Sequence, residues 1–223
     1  MQIRKRTLAV LIGAFLVLTF STAQAQIQWN QFRGPKGSGI AAENKKLPIE
    51  FDPSMNMLWK CAVSKGNSSP CIWGDRIFLT GYADRKLETI CLDRQNGEIL
   101  WKKTVTPEKI ERVHPINTPA SPTATTDGKG VFVYFGSYGL ICYDFDGNMK
   151  WERPLQPPVN MYGTAASPIL AGDYLIFCND KKTESSLEAI DPDTGKTIWR
   201  KEREGFAAGW STPMLWKNDG VDE

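Results

Sequence analysis

The sequence predicts an all-β protein, a β-propeller of four-stranded antiparallel blades. Three observations carry that prediction. First, one local pattern recurs. Ala189-Ile190-Asp191-Pro192-Asp193-Thr194-Gly195-Lys196-Thr197-Ile198-Trp199 reads as the end of a strand, a tight turn and the start of the next strand. Pro192 presets φ, Gly195 is free to take positive φ, and Trp199 is a large apolar anchor. Residues 91–101 fit the pattern position for position, and residues 142–151 fit it with one turn residue fewer. Second, Trp59, Trp101, Trp151 and Trp199 recur at intervals of roughly 40–50 residues. Third, Ser69-Pro70, Ser121-Pro122, Ser167-Pro168 and Thr212-Pro213 keep the same beat. Repeats of that length with four strands each are the mark of a propeller.

The elements follow in order. Arg4, Lys5 and Arg6, the uncharged run from Leu8 to Phe20 and the small-residue site Ala23-Gln24-Ala25 read as a secretory signal peptide over 1–25, cut after Ala25. The apolar run is too short to span a bilayer, so no transmembrane anchor is expected after cleavage. Residues 26–56 have no periodicity and are rich in Gly and Pro. They are expected as an extension laid across the propeller surface, anchored by Trp29 and Phe32. Residues 57–223 form the propeller part. Residues 57–63, around Trp59, read as a closing strand, the last strand of a blade whose first three lie elsewhere. Blades are expected at 68–104, 119–153 and 165–201. In the first, Gly74-Asp75 between two apolar runs signals a hairpin. Residues 210–216 open a further blade. About three and a half blades do not close a ring, so the sequence is expected to be a fragment of a seven- or eight-bladed propeller.

The form Ala-x-Asp-x-x-Thr-Gly-Lys-x-x-Trp at 189–199 resembles the tryptophan-docking motif of the pyrroloquinoline-quinone (PQQ) type propeller repeat. The resemblance covers about residues 57–216. Trp29-Asn30-Gln31-Phe32-Arg33-Gly34-Pro35 is similar to the opening of secreted PQQ-like repeat proteins. The resemblance implies that Trp59, Trp101, Trp151 and Trp199, with Gly97, Gly147 and Gly195, dock successive blades. It also implies that the first strand of each blade lines a central channel. The family includes quinoprotein dehydrogenases, which hold PQQ with Ca²⁺ in the channel and use an Asp as base. It also includes an outer-membrane assembly lipoprotein that recruits partner proteins. No residue here falls on a matching motif for that acid or those calcium ligands, and no cysteine lies beside the cleavage site for lipid attachment.

The segments before each first strand gather at one mouth of the channel, and loops at one end of a rigid scaffold carry binding. The candidate ligand-binding residues there are Lys65, Asn67, His114, Asn117, Tyr162 and Trp210. No catalytic constellation and no metal site is expected. His114 is the one histidine, and the aspartates at 144–146 and 191–193 lack the downstream acid of a calcium loop. They read as turn carboxylates capping their own backbone. Cys61, Cys71, Cys91, Cys142 and Cys178 are odd in number and contain no Cys-x-x-Cys spacing, which favours buried small hydrophobes. A Cys91–Cys142 or Cys61–Cys71 bridge stays open.

The composition is that of a globular chain, with 41% hydrophobic and 23% charged residues. The net charge of +2 comes from the leader. Without it the balance is slightly negative, which argues against nucleic acid as a partner. The expected function is a secreted or periplasmic binding or interaction scaffold without catalysis of its own. Its expected partners are other envelope proteins or a small ligand. The alternatives are a PQQ-dependent quinoprotein dehydrogenase, with PQQ and calcium as cofactors, and an envelope protein-assembly factor.

Overall fold

The computed structural model describes residues 28–41, 48–182 and 184–222. The signal peptide read at 1–25 lies outside the described residues. Three antiparallel sheets stand side by side, each made of consecutive hairpins. The first contains β1 (Gln28–Trp29), β2 (Cys71–Trp73), β3 (Arg76–Ala83), β4 (Lys86–Asp93) and β5 (Ile99–Val105). The second contains β6 (Thr125–Thr126), β7 (Gly130–Phe135), β8 (Gly139–Asp144) and β9 (Met149–Pro154). The third contains β10 (Ile169–Ala171), β11 (Tyr174–Asn179), β12 (Ser186–Ile190) and β13 (Thr197–Glu202). A short hairpin, β14 (Lys217–Asn218) with β15 (Val221–Asp222), follows. This is an arc of a β-propeller with three blades, ordered inner to outer as the chain runs.

Burial explains the arrangement. The middle strands carry runs of buried apolar residues, whereas β13, the outer strand of blade three, is exposed throughout. A sheet buried on both faces needs a neighbour on each side. The core therefore lies between blades. One cluster joins Phe78, Leu87 and Cys91 of blade one to Val133, Phe135 and Ile141 of blade two. Another joins Phe132, Leu140 and Cys142 of blade two to Leu175, Phe177 and Ile190 of blade three.

The outer registration is made by tryptophan. The indole Nε1 of Trp59 donates to the Arg94 carbonyl at 2.9 Å, that of Trp101 to the Phe145 carbonyl at 2.8 Å, and that of Trp151 to the Pro192 carbonyl at 2.8 Å. Each acceptor directly follows the turn aspartate of the next blade. Each ring lies flat against the glycine that ends the turn: Gly97, Gly147 or Gly195. These glycines have positive φ, and a Cβ on Gly195 would stand 2.7 Å from Trp151. Only a bare backbone admits the ring. Trp199 is 41% exposed, and its Nε1 has no acceptor among the described residues. The turn carboxylates are occupied locally. Asp93, Asp144 and Asp191 each accept two backbone N–H groups of their own turn, and each hairpin bulges at the same place.

The inner registration is made by hydroxyls. Ser69 N–H donates to Thr123 Oγ1, Thr123 N–H to Ser167 Oγ, and Ser167 N–H to Thr212 Oγ1, at 2.9, 2.9 and 3.0 Å. This corrects the register of blade two by two residues. Ser121-Pro122 looks like the repeat landmark, but Thr123 occupies the position. Ser121 Oγ instead donates to Asn117 Oδ1 and the Thr118 carbonyl.

Two expected strands differ. Residues 57–63 form no ladder, because no strand lies beside them. Trp59 and Cys61 cover the Ile77, Ile90 and Leu92 cluster, and one isolated bridge joins Lys65 to Tyr82. Residues 210–216 are likewise unpaired up to the start of β14. Between blades two and three, Arg153 bonds the buried Glu188 carboxylate at 2.6 Å. That carboxylate also accepts from Thr197 and Ser186.

The N-terminal segment straps the inner strands. β1 pairs with β2, matching Trp29 to Ile72. The Asn30 carbonyl accepts from Thr126 N–H and Thr125 Oγ1, both at 2.9 Å. Gln31, 1% exposed, accepts the Leu170 N–H at 2.9 Å. Gly37 rests on Met214. The strap thus touches all three blades and the segment beyond them. All five cysteines are free thiols. Four are buried, and Cys61 is half-buried. Burial pushes the thiols of Cys91 up to about 11 and Cys142 up to about 12.

Urea unfolding should rank the outer registration. Gly195→Ala imposes a left-handed conformation costing roughly 1–2 kcal/mol and also displaces Trp151. Trp151→Phe keeps the apolar contact and loses the hydrogen bond, about 1 kcal/mol. An unchanged midpoint for both variants would show that the dock contributes nothing to stability.

Candidate functional site

The loops that lead from the outer strand of one blade to the inner strand of the next meet at one end of the arc. The strap occupies the opposite ends of the inner strands, by the hairpin turns. The meeting end joins five of the six residues singled out in the sequence. Asn67 Oδ1 accepts from Thr118 Oγ1 at 2.9 Å. Asn117 Nδ2 donates to the Tyr162 carbonyl at 2.9 Å. His114 N–H donates to the same carbonyl at 3.4 Å, and its ring centroid is 6.0 Å from that of Tyr162. Tyr162 meets Trp210 edge-on at 5.4 Å. Trp210 Nε1 donates to the Gly163 carbonyl at 2.8 Å, which fixes the indole and leaves it 43% exposed. Lys65 stands apart. Its backbone bridges Tyr82 and its side chain is exposed.

Tyr162 divides two depressions. One, of about 430 Å³, is lined by Asn67, His114, Ile116, Asn117 and Tyr162. The other is a groove of about 530 Å³ formed by three loops. Lys109, Glu111 and Arg112 come from the first loop, residues 157–162 from the second, and Ala207, Ala208 and Trp210 from the third, with Lys182 at one end. Its floor is apolar: Pro157, Pro158, Val159 and Met161. Its volume falls within the range of clefts that take small ligands.

The groove was not legible in the sequence. Its residues lie in three loops without periodicity, and only the docking of blades brings them together. The one signal was negative. Ile116, Val159 and Met161 are apolar residues in segments that form neither strand nor tight turn, and they are 84%, 73% and 61% exposed.

Glu111 holds the groove together from beneath. It is 4% exposed. Its Oε2 accepts from the N–H and the hydroxyl of Thr164 at 2.8 and 2.7 Å, and its own N–H donates to Ser137 Oγ. Thr164 lies two residues past Tyr162, so the carboxyl ties the first loop to the second. Its Oε1 is buried and has no hydrogen-bond partner. Burial pushes the Glu111 carboxyl above the ordinary carboxylate range, and the two Thr164 donors oppose that shift.

The family model described as "Outer membrane protein assembly factor BamB" matches residues 86–215. The chain belongs to this PQQ-type repeat family. Its members include the outer membrane protein assembly factor BamB of Alkalilimnicola ehrlichii, 25% identical over 62% of this chain and 33% of that protein. A polyvinylalcohol dehydrogenase from a Pseudomonas species is 23% identical over 78% of this chain and 28% of that protein. The fold is shared with the quinohemoprotein alcohol dehydrogenase ADHIIG of Pseudomonas putida HK5, with a TM-score of 0.55 at 16% identity over 78% of this chain and 26% of that one. The chain spans about a third or less of the length of these relatives.

PQQ with calcium is the cofactor set that the resemblance to the dehydrogenases implies. Among the described residues no three His, Cys, Asp or Glu side chains converge to hold a metal ion. The turn aspartates are engaged by their own backbone. The described residues of this PQQ-type repeat protein therefore offer no cluster of acidic side chains for a calcium ion. Among them, too, no helix is long and apolar enough to cross a membrane.

The raised Glu111 carboxyl has a definite linkage sign. The folded state binds the proton more tightly than the unfolded state, so stability falls as pH rises from 4.5 toward the folded value and then levels off. Glu111→Gln should flatten that slope in urea midpoints collected from about pH 4 to about pH 8. Parallel slopes for the two proteins would refute the assignment.

Proposed function

We propose that this chain is a propeller-built binding scaffold that presents its loop-bearing end to a partner and performs no catalysis of its own. The observation that carries the reading is the groove built from three successive blade connections, with exposed apolar residues on its floor. A contiguous apolar surface rimmed by polar groups is the usual mark of an interaction site. Placement in the cell envelope or outside the cell rests on the signal peptide read at 1–25, and the family description supports it. A role as an envelope assembly factor is one form of the same reading, favoured by the likeness to BamB of Alkalilimnicola ehrlichii.

The second reading is a PQQ-dependent dehydrogenase. Its support is the similarity to the polyvinylalcohol dehydrogenase, which extends over 78% of this chain.

Two measurements separate the readings. After incubation with PQQ and Ca²⁺, gel filtration should return the protein without quinone absorbance; a retained quinone spectrum would favour the dehydrogenase. A photo-crosslinking residue placed at Met161 should give discrete adducts in the native envelope, and one placed at the outer-edge turn residue Thr194 should not. Equal labelling from both positions would remove the groove from the reading.

A further inference from the structure

We infer that the groove receives an extended polypeptide segment in which acidic side chains alternate with apolar ones; this rests on the binding-scaffold reading above. The shape argues for a polymer. The two depressions, about 530 and 430 Å³, lie on either side of Tyr162, which lines both. A compact small molecule would fill one depression, whereas a strand-like segment spans both.

The chemistry argues for acid. Lys109, Arg112 and Lys182 rim the groove, and among the described residues none of them makes an ion pair. The one acid in the lining, Glu111, lies beneath the floor and is spent on Thr164. Cations beside an apolar floor lose water when a partner docks, and that loss is offset only by opposite charge. A basic segment would be repelled. The aliphatic floor of Val159, Met161 and Ile116 suits Leu or Val side chains better than stacked nucleobases.

The test uses the full chain and labelled twelve-residue synthetic peptides in fluorescence anisotropy. One peptide alternates Glu with Leu, a second replaces Glu by Gln, and a third replaces it by Lys. An oligothymidylate forms a fourth arm. The Glu peptide should bind about tenfold tighter than the Gln peptide, and the advantage should shrink with added salt. Lys109→Glu combined with Arg112→Glu should abolish the advantage, whereas Lys196→Glu, on the outer edge, should leave it. Equal binding of the Glu and Gln peptides overturns the acidic partner and leaves the scaffold reading standing. Failure of all three peptides overturns both. Tighter binding of the Lys peptide or of the oligothymidylate overturns the acidic polypeptide. The comparison among peptides is made on the unaltered protein, so it does not depend on the variants folding.

Discussion

Everything in this arc depends on an indole ring laid on a bare glycine. Two twisted sheets that face each other can slide, because apolar contact has no preferred register. The docking tryptophan removes that freedom. Its flat face admits no side chain beneath it, and its N–H reaches one carbonyl, so each pair of blades has a single setting. The hydroxyl relay from Ser69 through Thr123 and Ser167 to Thr212 does the same at the inner end. A blade pinned at both its inner and its outer edge cannot rotate about either. The connecting loops therefore converge in a fixed geometry, and the groove made of three loops keeps its shape.

Legibility in the sequence followed from how many jobs one residue had. In the turn after each third strand, the aspartate caps the backbone, the glycine supplies positive φ and the tryptophan fills the socket. All three roles are local in sequence and identical in each blade, so the pattern survives as a repeat. The landmark of blade two was read two residues early because Ser121-Pro122 imitates one whose task, donating and accepting between blades, belongs to Thr123. Residues 57–63 have the composition of a strand, but a ladder needs a neighbour as well as a composition. The aromatic and amide residues from Asn67 to Trp210 could be grouped because their loops precede equivalent strands. Glu111 and the cations of the groove could not. Their importance arises from contacts such as Glu111 with Thr164, across 53 residues, which leave no periodic trace.

The family shows how little the scaffold says about activity. Its described relatives include an assembly factor and a dehydrogenase, and the strands that unite them are engaged in holding blades together. What differs among such proteins is carried by loops whose backbone is anchored at both ends and whose side chains are free. In this chain those loops present proline, valine, methionine and cations that make no ion pair among the described residues.

The N-terminal strap has a consequence for the order of folding. Gln31 accepts its hydrogen bond from Leu170, 139 residues later in the chain, and Asn30 reaches Thr126 across 96 residues. Each blade can close from neighbouring hairpins, but the strap is not fully seated until the third blade exists. Contacts of such sequence separation carry a large loop-closure cost and form late. The segment synthesised early is thus among the last to be seated. Interactions that form after the rate-limiting step act on how fast a protein comes apart rather than on how fast it assembles. By this argument the strap is expected to slow the arc's unfolding more than it speeds its assembly.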